Sequence, residues 1–245
     1  MKNELFDRLS HLSLKDAIEF ENNDRQFIAL KNLWENIEKR QWKEQNKIFF
    51  YLSIIIWNSL VCYQLSGKWE DYWTEFWEYF SDKFDEKNIS PRNIILILSD
   101  FLRNCKKNRR YTDTKIARLQ KFEPFLYEFA SKEKYFYENM LDLRDKLAKT
   151  MKQKKDAKTV VFAVKMFSYW ARNIFWLVYF PLDLLIPIDS RLTAMFEKYW
   201  KNYEKIEDFY KELSSSLKIP MMHLDGIIWT SYDELMEDFP FCKIS

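Results

Sequence analysis

Glycine is nearly absent: Gly67 and Gly226 are the only two in 245 residues. A loop that cradles phosphate on backbone N–H groups needs several glycines at fixed offsets, so P-loop and Rossmann-type nucleotide sites are excluded. The same scarcity speaks against an all-β chain with many tight turns. Histidine is as rare, with only His11 and His223, which disfavours a His-based triad or a His-rich metal site. Cys62, Cys105 and Cys242 are far apart and odd in number. Without a CxxC pair or Cys/His spacing, neither zinc nor an iron–sulfur cluster is supported, and reduced thiols in a reducing cytosol are expected. No metal and no cofactor is therefore assigned.

Uninterrupted membrane-length apolar runs are lacking too. Residues 48–62 are too short to span a bilayer comfortably. Residues 160–180 are long enough but contain Lys165, Arg172 and Asn173, and each ion at mid-membrane costs on the order of 3 kcal/mol. Both runs are expected to be buried core helices, with no membrane partner. Met1 to Asp7 is polar and charged, unlike a secretory leader. The expected location is the cytoplasm.

What is present is apolar and charged in globular proportion, 47% and 31%, so a folded core is expected rather than disorder. Aromatic residues reach 18%, which fits either a large aromatic core or platforms on which bases stack. The formal net charge of +2 predicts no polyanion partner by itself, but the charge is segregated. Residues 103–121 carry eight basic and one acidic residue, residues 144–165 eight and two, and residues 67–87 three and seven. Such blocks make either solvated helix faces or one basic face on a nearly neutral protein.

Apolar residues recur at three- and four-residue spacing, as in Leu30, Leu33, Trp34 and Ile37, or Leu119, Phe122, Leu126 and Phe129. That is helical periodicity, and no stretch alternates as a strand would. Helices are expected near 3–20, 25–43, 46–65, 69–81, 91–106, 113–131, 134–152, 157–178, 190–202, 204–216 and 220–231. Ser90-Pro91 reads as an N-cap followed by a first-turn proline. Asp156 is expected to cap the helix that starts near Lys158. Asp189 stands just ahead of another helix, and Pro220 opens the last long one. No repeat or linker breaks residues 1–245, so one unit is expected. Two helical subdomains with an active-site cleft between them are compatible with it.

Lys158, Phe162 and Lys165 fall at i, i+4 and i+7 and share one face of a helix. Downstream, Pro187-Ile-Asp-Ser-Arg191 places a carboxylate, Asp189, between an apolar bend and a helix. Either feature alone fits a structural role, a lysine snorkelling beside a core phenylalanine or a plain Asp N-cap.

The segment from Pro187 to Arg191 resembles the Pro-Val-Asp element of the helix–hairpin–helix DNA glycosylase superfamily. Further segments resemble one branch, the archaeal 8-oxoguanine DNA glycosylases. They are Tyr63 to Gly67 with Tyr72 and Trp73, Asn108 to Arg110 with Lys115 and Ile116, Lys158 to Met166, and Met222 to Trp229, in that order over most of the chain. One departure stands out. The glycine-containing hairpin usual in the superfamily is absent between Lys149 and Lys158, where the basic stretch Lys152 to Asp156 stands instead.

The resemblance implies an all-α, helix–hairpin–helix-glycosylase-like fold. It also implies a bifunctional enzyme that removes 8-oxoguanine and then nicks the abasic strand. Lys158 would be the nucleophile and Asp189 its carboxylate partner. The chemistry suits these residue types. An amine nucleophile must shed its proton near neutral pH, which a helix N-terminus, neighbouring lysines and apolar surroundings all favour. The carboxylate can assist that proton transfer and stabilise oxocarbenium character at the sugar.

A base inside a duplex must be flipped out for this reaction. Phe162 suits one face of the extruded base and Trp229 the other, with Asp225, one turn before Trp229, meeting the base edge. The resemblance adds Lys165, Gln26 and Trp73 to the pocket, with Trp57 and Gln64 as fallback candidates. Arg109, Arg110 and Lys115 are candidate phosphate contacts. His223 is expected to be structural. Double- or single-stranded DNA containing 8-oxoguanine is the expected partner, bound by a monomer. The alternatives are a glycosylase for another damaged base and a helical nucleic-acid-binding protein without catalysis.

Overall fold

The computed structural model describes residues 4–82, 84–199 and 204–237. Cys242 and the last residues of the helix expected at 190–202 lie outside the described residues. Regular structure among the described residues is helical throughout. In chain order the elements begin with α1 (Glu4–Leu9), α2 (Leu14–Asn22), α3 (Arg25–Glu38), α4 (Glu44–Val61) and α5 (Trp69–Asp82). After a 3-10 turn at Glu86–Asn88 follow α6 (Pro91–Asn104), α7 (Thr112–Phe129), α8 (Glu133–Glu138), α9 (Met140–Met151) and α10 (Lys158–Ala171). The chain closes with α11 (Ser190–Tyr199), α12 (Ile206–Leu217), α13 (Met221–Thr230) and α14 (Tyr232–Met236). They form two compact units, one of residues 25–178 and one of the two chain ends, 1–24 with 179–245.

The larger unit is organised by two apolar helices. Every residue of α4 from Phe49 to Val61 is buried, as is every residue of α10 from Val160 to Ala171 except Phe162. A helix that is apolar all round must be covered all round. These two pack on each other, with α3, α7, α8 and α9 around them. In the smaller unit α2 lies against α13, over a core that includes Leu5, Leu9, Phe20, Ile186, Leu192, Leu224 and Ile227. No helix among the described residues is long and apolar enough to cross a membrane.

Several expected helices are shorter or divided, and for three the local reason is visible. The first divides at Ser13, whose hydroxyl accepts from the Asp16 N–H (3.3 Å) while the Asp16 carboxylate accepts from the Ser13 N–H (2.7 Å), a capping box that starts α2. The helix expected over 134–152 divides at Asn139, whose backbone leaves the helical region (φ −123°, ψ 58°). The helix expected to reach 178 stops at Ala171. Beyond it the Tyr137 hydroxyl donates to Trp176 O (2.7 Å) and accepts from Val178 N–H (3.0 Å), satisfying backbone that a continued helix would have paired internally. Ser90 caps α6 as expected, accepting from Asn93 N–H at 3.2 Å. Asp156 does not cap α10. The N-cap is Ala157, without a side-chain hydrogen bond, and Asp156 is exposed.

The turn from α9 to α10 shows how the chain manages without glycine. Lys152 takes the left-handed conformation (φ 51°, ψ 46°), and Gln153 N–H reaches back to Ala148 O at 2.9 Å. Glycine is the usual residue there because it has no Cβ to clash. Lys152→Gly should therefore stabilise the protein by about 0.5–1 kcal/mol. Urea unfolding at matched pH would read this as a higher midpoint with an unchanged slope.

Candidate active site

Lys158 is the first residue of α10, where the chain emerges from the turn and the helix has not yet entered the core. Its side chain is exposed, and within its own unit no described carboxylate pairs with it. The turn is tied down around it. Arg118 of α7 donates to Gln153 Oε1 (3.0 Å) and to Thr159 Oγ1 (2.9 Å), and Thr159 donates to Gln153 Oε1 (3.1 Å). One helical turn on, the half-buried Phe162 ring meets Trp69 at 5.5 Å and 64°. Lys165 is buried at 4% exposure, with its ammonium 5.1 Å from the centre of the Tyr169 ring. The shared face expected from the i, i+4, i+7 spacing thus runs from solvent into the unit.

Gln26 of α3 is buried beside Phe27, whose ring meets Tyr169 of α10 edge-on at 6.2 Å. Trp73 is fully buried against Trp170 (5.7 Å) and Phe76 (5.4 Å). The indole N–H of Trp73 has no hydrogen-bond partner among the described residues, and the same holds for Trp57 and Trp170. A buried donor left unpaired costs about 1–3 kcal/mol. Gln64, by contrast, is exposed at positive φ (47°).

The smaller unit carries Asp189, Asp225 and Trp229. Asp189 caps α11, its Oδ1 accepting from Arg191 N–H and Leu192 N–H at 3.0 Å each. This fixes the carboxylate and leaves Oδ2 without a hydrogen bond among the described residues of the unit. Asp225 is 6% exposed and Trp229 half-buried on α13. The Tyr210 hydroxyl donates to Leu192 O at 2.7 Å; burial pushes it well above the usual tyrosine range, and the charges of Asp225 and Asp189 push it further. Arg191 of the Pro187 to Arg191 segment packs on aromatic rings. Its guanidinium lies 4.0 Å from the Trp229 ring centre and 5.6 Å from that of Tyr232. Arg118 and Tyr210 had no sequence signal, because their partners come from other helices.

Comparison with known proteins now separates the possible chemistries. Residues 6–240 match the family model described as AGOG, N-glycosylase/DNA lyase. The N-glycosylase/DNA lyase of Thermococcus kodakarensis is 38% identical over 212 residues, covering 85% of this chain and 75% of that protein. That of Methanococcus maripaludis is 35% identical over 236 residues, covering 93% and 86%. The chain belongs to the N-glycosylase/DNA lyase family. The fold agrees with the crystal structure of the Pyrobaculum aerophilum 8-oxoguanine DNA glycosylase complexed with 8-oxoguanosine. Its TM-score is 0.70 at 18% identity, covering 93% of this chain and 86% of that one. The all-α, glycosylase-like architecture expected from the sequence is the one observed, and the protein is a DNA glycosylase with lyase activity.

In this glycosylase the loop before α7 is a rigid platform. The Glu75 carboxylate accepts from Lys106 N–H (2.7 Å) and Lys107 N–H (3.0 Å), and Ser66 Oγ accepts from Arg109 N–H (3.1 Å). The Lys107 stem lies so close to Gly67 that a Cβ there would stand 2.5 Å from Lys107 Cδ. Arg109 and Arg110 point to solvent from this platform. Lys115 does not accompany them, and its reading as a phosphate contact is corrected. It is fully buried, its ammonium donating to Asn108 Oδ1 and lying 4.8 Å from the centre of the Tyr63 ring. A phosphate contact needs an accessible cation. Among the described residues no group of His, Cys, Asp and Glu is placed to hold a metal ion.

Burial lowers the Lys115 ammonium from 10.5 to about 8, Arg110 adding to the effect and Cys62 and Cys105 opposing it. Between those values the unfolded chain holds a proton that the folded chain has released, so stability should rise with pH. The unfolding midpoint of the parent should climb relative to that of Lys115→Met as pH goes from 8 to 10.5. Parallel curves would show that the ammonium is solvated.

Proposed function

We propose that this enzyme excises 8-oxoguanine from DNA and then cuts the strand, with Lys158 as nucleophile and Asp189 as its carboxylate partner. The carrying observation is Lys158 itself: an exposed amine on the first turn of a buried helix, on one face with Phe162 and Lys165. Nζ of Lys158 attacks C1′ as the glycosidic bond breaks, and the base leaves with the bonding electrons and a proton. The sugar ring opens to a Schiff base on Lys158. The Schiff base acidifies C2′, and loss of that proton expels the 3′ phosphate by β-elimination. Asp189 takes the proton of the lysine ammonium and offsets positive charge developing at the sugar. The reaction so written uses no metal or redox cofactor.

Phe162 and Trp229 would each stack on the base, Asp225 would accept N–H groups at its edge, and Gln26, Lys165 and Trp73 would be further contacts to it. The unpartnered indole N–H of Trp73 supports a ligand that brings an acceptor. The structure named for 8-oxoguanosine supports the choice of base. Arg109 and Arg110 would hold phosphate, and the enzyme would act as a monomer, on duplex or single strands, on the nucleoid in the cytoplasm.

Borohydride reduction on DNA containing 8-oxoguanine tests substrate and nucleophile together. The parent should yield a covalent adduct, and Lys158→Gln should yield none while still binding the lesion. Trapping by Lys158→Gln but not by Lys165→Gln would reverse the assignment. Asp189→Asn keeps the helix cap and should slow excision on the order of 10²–10⁴-fold. A rate within a few-fold of the parent would leave Asp189 as a cap alone.

Replacing Arg109 and Arg110 together with Ala should flatten the salt dependence of duplex binding by about two logarithmic units per decade of salt, one for each lost phosphate contact. An unchanged slope would put the two arginines on a face that DNA does not touch.

A further inference from the structure

The proposed reaction leaves a buried acid–base pair of the smaller unit unused. His223 of α13 is 1% exposed and Glu21 of α2 is fully buried, with His223 Nδ1 and Glu21 Oε1 2.8 Å apart. The other ring nitrogen, Nε2, accepts from the backbone N–H of Phe180 at 3.2 Å. A nitrogen that accepts carries no proton, so the ring is the tautomer with its proton on Nδ1, donated to Glu21. The Phe180 ring packs on the imidazole at 4.8 Å.

Phe180 lies in the non-helical stretch between α10 and α11, nine residues before Asp189. Its buried side chains, Phe180, Leu184 and Ile186, hold it by apolar contact, which resists removal but tolerates sliding. A hydrogen bond to backbone sets position along the chain as well. The imidazole supplies that bond from the helix that carries Asp225 and Trp229, two and six residues further on.

We infer that His223 is a positioning residue: held by Glu21, it anchors the Phe180 backbone and so sets the Asp189 segment against the helix of Asp225 and Trp229. The inference rests on the proposed role of Asp189. It assigns His223 no proton transfer to the substrate.

Two substitutions separate the two bonds. In His223→Asn the amide stands where Nδ1 was, so the contact with Glu21 is kept and the one with Phe180 is lost. In His223→Gln the amide reaches the position of Nε2, so the Phe180 bond is kept and the Glu21 contact is lost. Excision from duplex containing 8-oxoguanine is measured with enzyme in excess, beside lesion Kd and thermal midpoint.

His223→Gln should stay within about threefold of the parent. His223→Asn should be slower by about tenfold or more, as misplacement of a catalytic group by an ångström can cost more than that. Kd should change by less than about twofold in both, since excision rather than duplex binding is affected. Equal rates in the two variants, the reverse order, or a loss that follows the thermal midpoint would overturn the inference. Asp189→Asn is run alongside. If it excises at the parental rate, the reading of Asp189 fails. If it is slow while His223→Asn is not, only the anchor fails.

Discussion

Burial of α4 against α10 is the constraint on which the larger unit depends. Two helices without a polar face cannot end at solvent along their length, so α3, α7, α8 and α9 are recruited to cover them. Full burial of a Leu, Ile or Phe side chain stabilises by about 1.5–3 kcal/mol, and α4 alone buries Phe49, Phe50, Leu52, Ile54, Ile55 and Ile56. That packing leaves α10 a single way out, at its first turn. Lys158 is there because a lysine can begin a buried helix but not sit unpaired in its middle. Lys165, seven residues on, is inside and has its charge over the Tyr169 ring.

Scarcity of glycine shapes the surface as firmly as the apolar helices shape the interior. Among the described residues Gln64, Tyr111, Ser131, Lys152 and Lys218 have positive φ, a conformation that glycine would adopt without strain. Lys152 and Lys218 follow helix ends, where a cation also suits the negative end of the helix dipole. Each left-handed lysine costs roughly 1–2 kcal/mol in backbone strain and returns a positive charge at the surface.

Buried polar groups supply what apolar packing cannot, which is register. Apolar contact is non-directional. The Asn108–Lys115 pair and the Glu21–His223–Phe180 chain are directional, and the second joins segments distant in sequence. Arg118 does the same at the surface for Gln153 and Thr159, on either side of Lys158.

Local order determined much of this protein. Helical periodicity made the all-α class legible, as Ser90-Pro91 did the start of α6 and the i, i+4, i+7 spacing the common face of Lys158, Phe162 and Lys165. The capping box at Ser13 and Asp16 was equally local and marks the break between α1 and α2. Tertiary structure decided what depends on partners from elsewhere in the chain. Lys115 belongs by sequence to the basic block with Arg109 and Arg110, yet Asn108 and Tyr63 hold it inside. The helix expected to reach 178 stops at Ala171, where the Tyr137 hydroxyl takes over backbone pairing. His223 becomes an anchor only because Glu21, 202 residues away, meets it. Periodicity and caps act within a few residues and can be read along the chain, whereas the fate of a buried charge is set by whichever distant group the fold brings to it.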